Sequence, residues 1–261
     1  MAGDLELYVS EVFSAIQGEG LNVGERQVFL RLAGCNIRCS YCDQPEALER
    51  RAGPCLVEIH PGKRDWESAT SPALQNEVAA WVDRLWSALS HQMVSVTGGE
   101  PLMQARSLSE LAGELVSRGH RIALETNGTL PGRLALVISK LSHLSMDVKL
   151  DSVDGQGADL SSAIECLEMA REEAANRPGE LSACAKIVLG SHTDVSELAS
   201  AVGAIHGIWP DLCIFLQPVT PFGKVTSAPS PSQVLELQEL CLRHHPRVRV
   251  VPQTHKMIGQ R

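Results

Sequence analysis

Short apolar runs alternate along the chain with longer stretches whose apolar positions recur at helical spacing. Val28 to Leu32, Met93 to Thr97, Arg121 to Thr126, Leu144 to Leu150, Ala183 to Leu189 and Leu212 to Gln217 have the length and β-branched content of strands. Residues 73–90, 107–118, 159–176, 193–206 and 231–245 have the amphipathic period of helices. The last of these opens SPSQ, where Ser230 caps, Pro231 suits the first helical position and Gln233 completes a capping box. Gly119 and Gly207 sit where helices should stop. Strands alternating with helices predict parallel strands joined by crossovers. The expected class is therefore α/β, a partial or modified (β/α)6 TIM-like barrel. Two β-like pieces, Leu7 to Phe13 and Arg247 to Val251, fall outside the six units and are expected to pair with each other or to extend the sheet. Residues 43–72 carry Pro45, Pro54, Pro61 and Pro72 and read as an irregular insertion, a long functional loop. No linker, repeat or low-complexity tail divides the chain, so residues 1–261 are read as one domain.

Composition removes several classes of function. At 261 residues and 44% hydrophobic content the chain can bury a sizeable core and is not disordered. Its 23 Lys and Arg against 31 Asp and Glu give a formal charge of −8, which argues against a nucleic-acid footprint. No apolar run reaches membrane length. The opening MAGDLELYVSEVF has neither a basic nor an apolar leader region, so no signal peptide is expected and a cytoplasmic location is the default. The cysteines are informative by position. Cys35, Cys39 and Cys42 crowd together, whereas Cys55, Cys166, Cys184, Cys213 and Cys241 are scattered. Four of the scattered thiols lie on apolar faces and read as small hydrophobes; Cys55, in the irregular stretch, is expected to be the exposed one. Crowded thiols without an export signal point to a metal or cluster site in a reducing compartment.

The unusual polar and glycine-rich motifs each follow a predicted strand: GCNIRCSYCD, TGGEP, ETNGT, SMDVKL, LQPVTPFG and, after the terminal run, PQTHK. In an α/β barrel the loops after strand C-termini share one face, so these motifs should converge on one mouth. Cys35-x3-Cys39-x2-Cys42 supplies three thiolates on one loop. A closed structural site needs four ligands, so a [4Fe–4S] cube held this way keeps one iron open to a substrate or cofactor. The alternatives are zinc, with His60 or Cys55 as fourth ligand, and a chance grouping of thiols.

CNIRCSYC resembles the radical S-adenosylmethionine (SAM) motif, Cys-x3-Cys-x-aromatic-Cys, with Tyr41 at the aromatic position, and TGGEP resembles that superfamily's glycine-rich motif. AIQGEG, RLAGCNIRCSYCD, VTGGEPL, ETNGT and PQTHK together resemble the 7-carboxy-7-deazaguanine synthase family over nearly the whole chain. The resemblance implies a lyase of deazapurine and queuosine precursor biosynthesis. It would convert 6-carboxy-5,6,7,8-tetrahydropterin to 7-carboxy-7-deazaguanine through a 5′-deoxyadenosyl radical, hydrogen abstraction at C6, ring contraction and loss of ammonia. The implied cofactors are a [4Fe–4S] cluster on Cys35, Cys39 and Cys42, SAM, and Mg2+. The implied partners are the pterin substrate and an electron donor such as a flavodoxin or ferredoxin, with no nucleic acid and no membrane; a homodimer is compatible with the fold.

Residue roles carry over by motif. Cofactor contacts fall on Tyr41, Asp43, Gly98, Gly99, Glu100, Glu125, Asn127, Ser145, Asp147 and Gln217. Gly98 and Gly99 would let backbone approach the methionine end, and Glu100 would accept from its ammonium or serve the fold. Asn127-Gly128 is also a turn dipeptide, and Lys149 is a candidate to pair with Asp147. Substrate contacts fall on Ile16, Gln17, Gly18, Glu19, Arg31 and Thr97, with Arg31 holding the substrate carboxylate or, alternatively, pairing with Glu19. Gln253, Thr254, His255 and Lys256 are placed to close over the substrate, and Lys186 to form a buried pair. One departure stands out. Where the family places a threonine that helps to bind Mg2+, this chain has Gln44, whose carbonyl can ligate the ion beside Asp43, water and substrate but is longer and reaches differently. Two other readings compete: a radical SAM activating enzyme that installs a glycyl radical on a partner protein, and a non-catalytic iron–sulfur sensor.

Overall fold

A computed structural model describes residues 5–155 and 159–260; Met1 to Asp4 of the opening stretch lie outside them. The chain enters through β1 (Glu6–Leu7), β2 (Val9–Ile16) and β3 (Arg26–Leu32), then β4 (Gly53–Glu58), β5 (Trp66–Ser71) and the short β6 (Ala73–Leu74). From there strands alternate with helices: α1 (Gln75–Ala88), β7 (Met93–Gly98), α2 (Ala105–Ser117), β8 (Ile122–Thr126), α3 (Pro131–Leu134), β9 (His143–Asp147), α4 (Asp151–Asp154) and α5 (Leu160–Asn176). β10 (Ser182–Leu189), α6 (Val195–Ile208), β11 (Cys213–Pro218), α7 (Pro231–His244), β12 (Val248–Val250) and α8 (Thr254–Met257) complete it.

One sheet of ten strands runs in the order β12-β11-β10-β9-β8-β7-β3-β2-β4-β5. The six predicted strands are all present, and from β3 to β12 every neighbouring pair is parallel. The strands do not close on themselves, so the architecture is the open, partial form of the barrel. Strands buried on both faces need near-continuous apolar sequence. Val94, Val96, Ile122, Leu124, Leu144, Met146, Ile187 and Leu189 supply it and pack with α1, α2, α5 and α6 in one core. α7 starts as its sequence requires, with Ser230 Oγ accepting from the Gln233 amide and the Gln233 side chain accepting from the Ser230 amide.

One expectation is resolved and two are corrected. The two outlying β-like pieces extend the sheet and do not pair with each other. β2 lies antiparallel against β3, and β12 adds a further parallel strand beside β11. Gly207 lies inside α6, which runs on until Trp209, whereas Gly119 does terminate α2, at φ +89°. Residues 43–72 are largely not irregular. They hold the antiparallel hairpin of β4 and β5, with β4 paired to β2. The hairpin hides in the sequence because β5, at the sheet edge, is polar and mostly only half-buried. It is pinned by Trp66, whose ring lies 6.4 Å from Phe13, itself stacked on Phe29. Because β4 alternates inward and outward, Cys55 is buried and Leu56 exposed, reversing the exposure expected for Cys55.

Candidate active site

The motifs after β3, β7, β8, β9, β11 and β12 line one cavity, as strand order predicted. With its open mouth included, the space is about 1280 Å³. The segment after β2 reaches the same cavity from the opposite end of the strands, because β2 is antiparallel and Ile16 pairs with Arg26 at the start of β3. Gln17, Gly18 and Glu19 therefore meet the cavity from beneath the cysteine loop.

Of the cluster, cofactor and substrate contacts expected from the sequence, all but Glu100 and Ser145 lie on the cavity wall, and of the four terminal residues Gln253 and His255 do while Thr254 and Lys256 do not. Cys35, Cys39 and Cys42 are free, partly exposed thiols on that wall. Their loop is tied down at both ends: the Gly34 amide donates to Ala47 O, the Cys35 amide to Leu48 O, and Ser40 Oγ to Val153 O. Burial pushes the Cys39 thiol up to about 12 and the Cys35 thiol upward, so both hold their protons at neutral pH until a metal displaces them. Among the described residues no three His, Cys, Asp or Glu side chains converge on one ion. Three thiolates that serve three different irons of one cube need no such convergence. Three thiols on one pinned loop, beside a cavity and free of disulfides, are a donor set that fits a cluster with one open iron.

Gly98 and Gly99 are also required by the packing of the turn. A Cβ on Gly98 would lie 2.1 Å from Leu32 O, and one on Gly99 2.3 Å from Gly34 O. The glycines let the TGGEP turn press against the cysteine loop itself, where the Gly99 amide donates to Leu32 O and the Glu100 amide to Gly34 O. Glu100 sits behind the wall, fully buried. Its carboxylate accepts from the Leu102 amide (2.9 Å), Thr126 Oγ1 (2.8 Å) and the Asn127 amide (2.8 Å), riveting the TGGEP turn to the ETN turn. Burial raises its carboxyl to about 7. Ser145 lies against Cys184 Sγ at 3.7 Å, off the wall.

The opposite wall is ionic. Lys149 Nζ is 3.0 Å from Asp147 Oδ2, Lys186 Nζ is 3.3 Å from Asp147 Oδ1 and 2.7 Å from Glu19 Oε2, and Lys256 Nζ is 2.6 Å from Asp43 Oδ2. The Gln253 amide bridges the two halves, donating to Glu19 Oε1 (2.9 Å) and Asp43 Oδ2 (3.1 Å). Burial alone would raise Asp147, but the two lysines override it and hold the carboxyl at about 2. In the same way Lys186 and Gln253 outweigh burial at Glu19, and Lys256 does so at Asp43, leaving both carboxylates lowered. Lys149 Nζ also lies 5.2 Å over the Tyr41 ring. Arg31 pairs with Glu11 at 2.7 Å, not with Glu19. Gln17 donates to Glu125 Oε1 at 2.8 Å and Thr97 to Oε2 at 3.0 Å. The terminal segment spans the sheet's open side, with the Thr254 amide and hydroxyl both donating to Gly18 O. His255 packs so close to Gly18 that a Cβ there would meet its Nδ1 at 2.1 Å. Gln253 and His255, expected to close over the substrate, are on the wall, and so are Lys149 and Lys186, each in the ion pair the sequence suggested.

The donor set expected for Mg2+ does not fit. Mg2+ demands several oxygens at about 2.0–2.1 Å. Asp43 Oδ2 is already taken by Lys256 and Gln253, and the neighbouring position holds Gln44.

Comparisons with known proteins agree with this construction. Residues 30–196 match the model of the radical SAM superfamily. The 7-carboxy-7-deazaguanine synthase of Geobacter sulfurreducens is 40% identical over 256 residues, covering 97% of both chains. That of Methanopyrus kandleri is 35% identical, covering 97% of this chain and 93% of its own. The crystal structure of QueE from Escherichia coli superposes with a TM-score of 0.59 at 19% identity, covering 95% of this chain and 93% of that one, which is a likeness of fold. Neither a glycyl-radical activating enzyme nor a non-catalytic sensor is favoured by these relatives. With its cysteine loop, glycine turn and deazaguanine-type motifs all in one cavity, the chain belongs to the radical SAM superfamily and, within it, to the 7-carboxy-7-deazaguanine synthase family.

Proposed function

We propose that this enzyme converts 6-carboxy-5,6,7,8-tetrahydropterin to 7-carboxy-7-deazaguanine with release of ammonia, acting as one catalytic unit along its length. The observation that carries the reading is the meeting, in one cavity, of the cysteine loop from one end of the strands and Gln17–Glu19 from the other. Cys35, Cys39 and Cys42 hold the cluster. The bound cluster and SAM supply a radical able to abstract hydrogen from C6 of the pterin. Tyr41, the Gly98–Gly99 backbone, Asn127 and Gln217 contact the cofactor, while Glu100 and Ser145 support that wall from behind. Glu125, held by Gln17 and Thr97, presents a carboxylate suited to the donor edge of a pterin. Arg31, oriented by Glu11, has the fork geometry for the substrate's carboxylate. The terminal segment at Gly18 excludes water from the sheet's open side. A small flavodoxin or ferredoxin supplies the electron, and the enzyme works in the cytoplasm, consistent with the absence among the described residues of any helix able to cross a membrane. A homodimer is the form we propose in solution.

The test is anaerobic turnover of reconstituted enzyme with reductant, SAM and 6-carboxytetrahydropterin, read by mass spectrometry. 7-Carboxy-7-deazaguanine is expected. SAM cleavage without that product would overturn the substrate assignment and leave the radical chemistry standing.

A further inference from the structure

Asp43 follows the last cluster cysteine and faces the cavity, yet its carboxylate is already engaged by the protein's own cation. Lys256 Nζ donates to Oδ2 at 2.6 Å and to Gln253 Oε1 at 2.7 Å, and Gln253 Nε2 donates to the same Asp43 oxygen at 3.1 Å. The pair is partly shielded, with side chains 30% and 26% exposed, so the attraction is screened less than at an open surface. A divalent ion on Asp43 would have to displace an ammonium or sit within a few ångströms of one, where like charges repel. The neighbouring residue offers no compensation: Gln44 is a neutral amide at the start of a short 3-10 turn. The rest of the ionic wall is balanced in the same way. Among the described residues Asp43, Glu19 and Asp147 face Lys256, Lys186 and Lys149, three carboxylates against three ammonium groups, while Glu125, also on the cavity wall, has both oxygens engaged by Gln17 and Thr97.

We propose that Lys256 is the resident cation of this site, its ammonium and the Gln253 amide occupying the Asp43 carboxylate in the place the family resemblance gives to Mg2+, so that the enzyme binds and turns over its substrate without a divalent ion. Lys256 is on this view a positioning residue that acts through Asp43. The proposal rests on the function given above only for the identity of the substrate.

The experiment uses reconstituted, cluster-loaded enzyme in metal-stripped buffer with SAM present and no reductant. Mn2+ stands in for Mg2+ and is counted by electron paramagnetic resonance with and without 6-carboxytetrahydropterin. The substrate Kd is measured by equilibrium dialysis from no added Mg2+ to about 10 mM. Wild type should bind no stoichiometric Mn2+, and its substrate Kd should shift less than about twofold. Lys256→Met, which keeps length and loses charge, should gain one Mn2+ site, and adding Gln44→Thr should tighten it. Lys256→Arg should stay metal-free like wild type. A merely structural lysine would not move the metal count. One bound Mn2+ per wild-type chain, or a tightening of the wild-type Kd by about tenfold or more with Mg2+, overturns the proposal. So does a Lys256→Met protein that keeps its cluster absorbance and binds no Mn2+. Failure of the functional reading looks different: no pterin binding under any condition, with the Mn2+ counts still decisive.

Discussion

Two walls of one cavity solve the same problem, buried carboxylates, in opposite ways. On the cluster side Glu100 meets two backbone amides and a hydroxyl, and no cation. On the seam side Asp147 meets two lysines. Glu100 is fully buried and Asp147 half-buried, yet the first carboxyl rises to about 7 and the second falls to about 2. Neutral donors satisfy lone pairs without cancelling the cost of a buried charge; ammonium groups cancel it. The cluster side is thus a rivet that shapes two turns. The seam side is a set of ion pairs, Asp147 with Lys149 and Lys186, Glu19 with Lys186 and Asp43 with Lys256.

The largest effect should come from the cluster side and should be functional. Cys39→Ala is expected to lose cluster absorbance and 7-carboxy-7-deazaguanine formation to background, while the unfolding midpoint of the metal-free protein hardly moves, since the thiol is only partly buried. A metal-free midpoint that drops steeply would make that loop structural as well. Next, Lys186→Met removes the lysine shared by Glu19 and Asp147. Breaking a buried pair on one side costs about 3–5 kcal/mol. Urea unfolding should show a loss of this order, partly recovered by adding Glu19→Gln; no recovery would mean the lysine matters through packing. Glu100→Gln should cost less, about 1–3 kcal/mol, because an amide N–H then faces an N–H of Leu102 or Asn127.

The smallest effect is a difference in pH slope. The Glu100 carboxyl is raised from 4.5 to about 7, so its contribution is fully present below about 4.5 and is lost as pH rises through about 7. Asp147 is depressed from 3.8 to about 2, so its contribution is present above 3.8 and is lost as pH falls through about 2. Between pH 5 and 7 only Glu100 of the two titrates. Wild-type stability should therefore decline across that range relative to Glu100→Gln, by at most about 1.4 kcal/mol per pH unit. Parallel curves for the two proteins would show that Glu100 does not carry the titration.

Much of this was legible in the sequence because strand order alone decides which loops share a face. Cys35, Gly98, Glu125, Asp147 and Gln217 come together for that reason. Local pattern could not say which polar side chains turn inward. Glu100 and Ser145 sit in the same motifs as wall residues, but hydrogen bonds made after folding draw them away from the cavity. The β4–β5 hairpin escaped because its polar edge strand depends on pairing with β2 and on Trp66, contacts distant in sequence. The partners of Lys186 and Lys256 lie more than a hundred residues away, at Glu19 and Asp43, where no spacing rule reaches.

The chemistry is tested most directly with substrate carrying deuterium at C6 of the tetrahydropterin. Anaerobic turnover should yield 7-carboxy-7-deazaguanine and place that deuterium in the 5′ position of the deoxyadenosyl group, whether it is recovered as 5′-deoxyadenosine or within SAM. Formation of the deazaguanine with no deuterium reaching the 5′ position would contradict hydrogen abstraction at C6, and labelled 5′-deoxyadenosine with no deazaguanine would contradict the ring contraction.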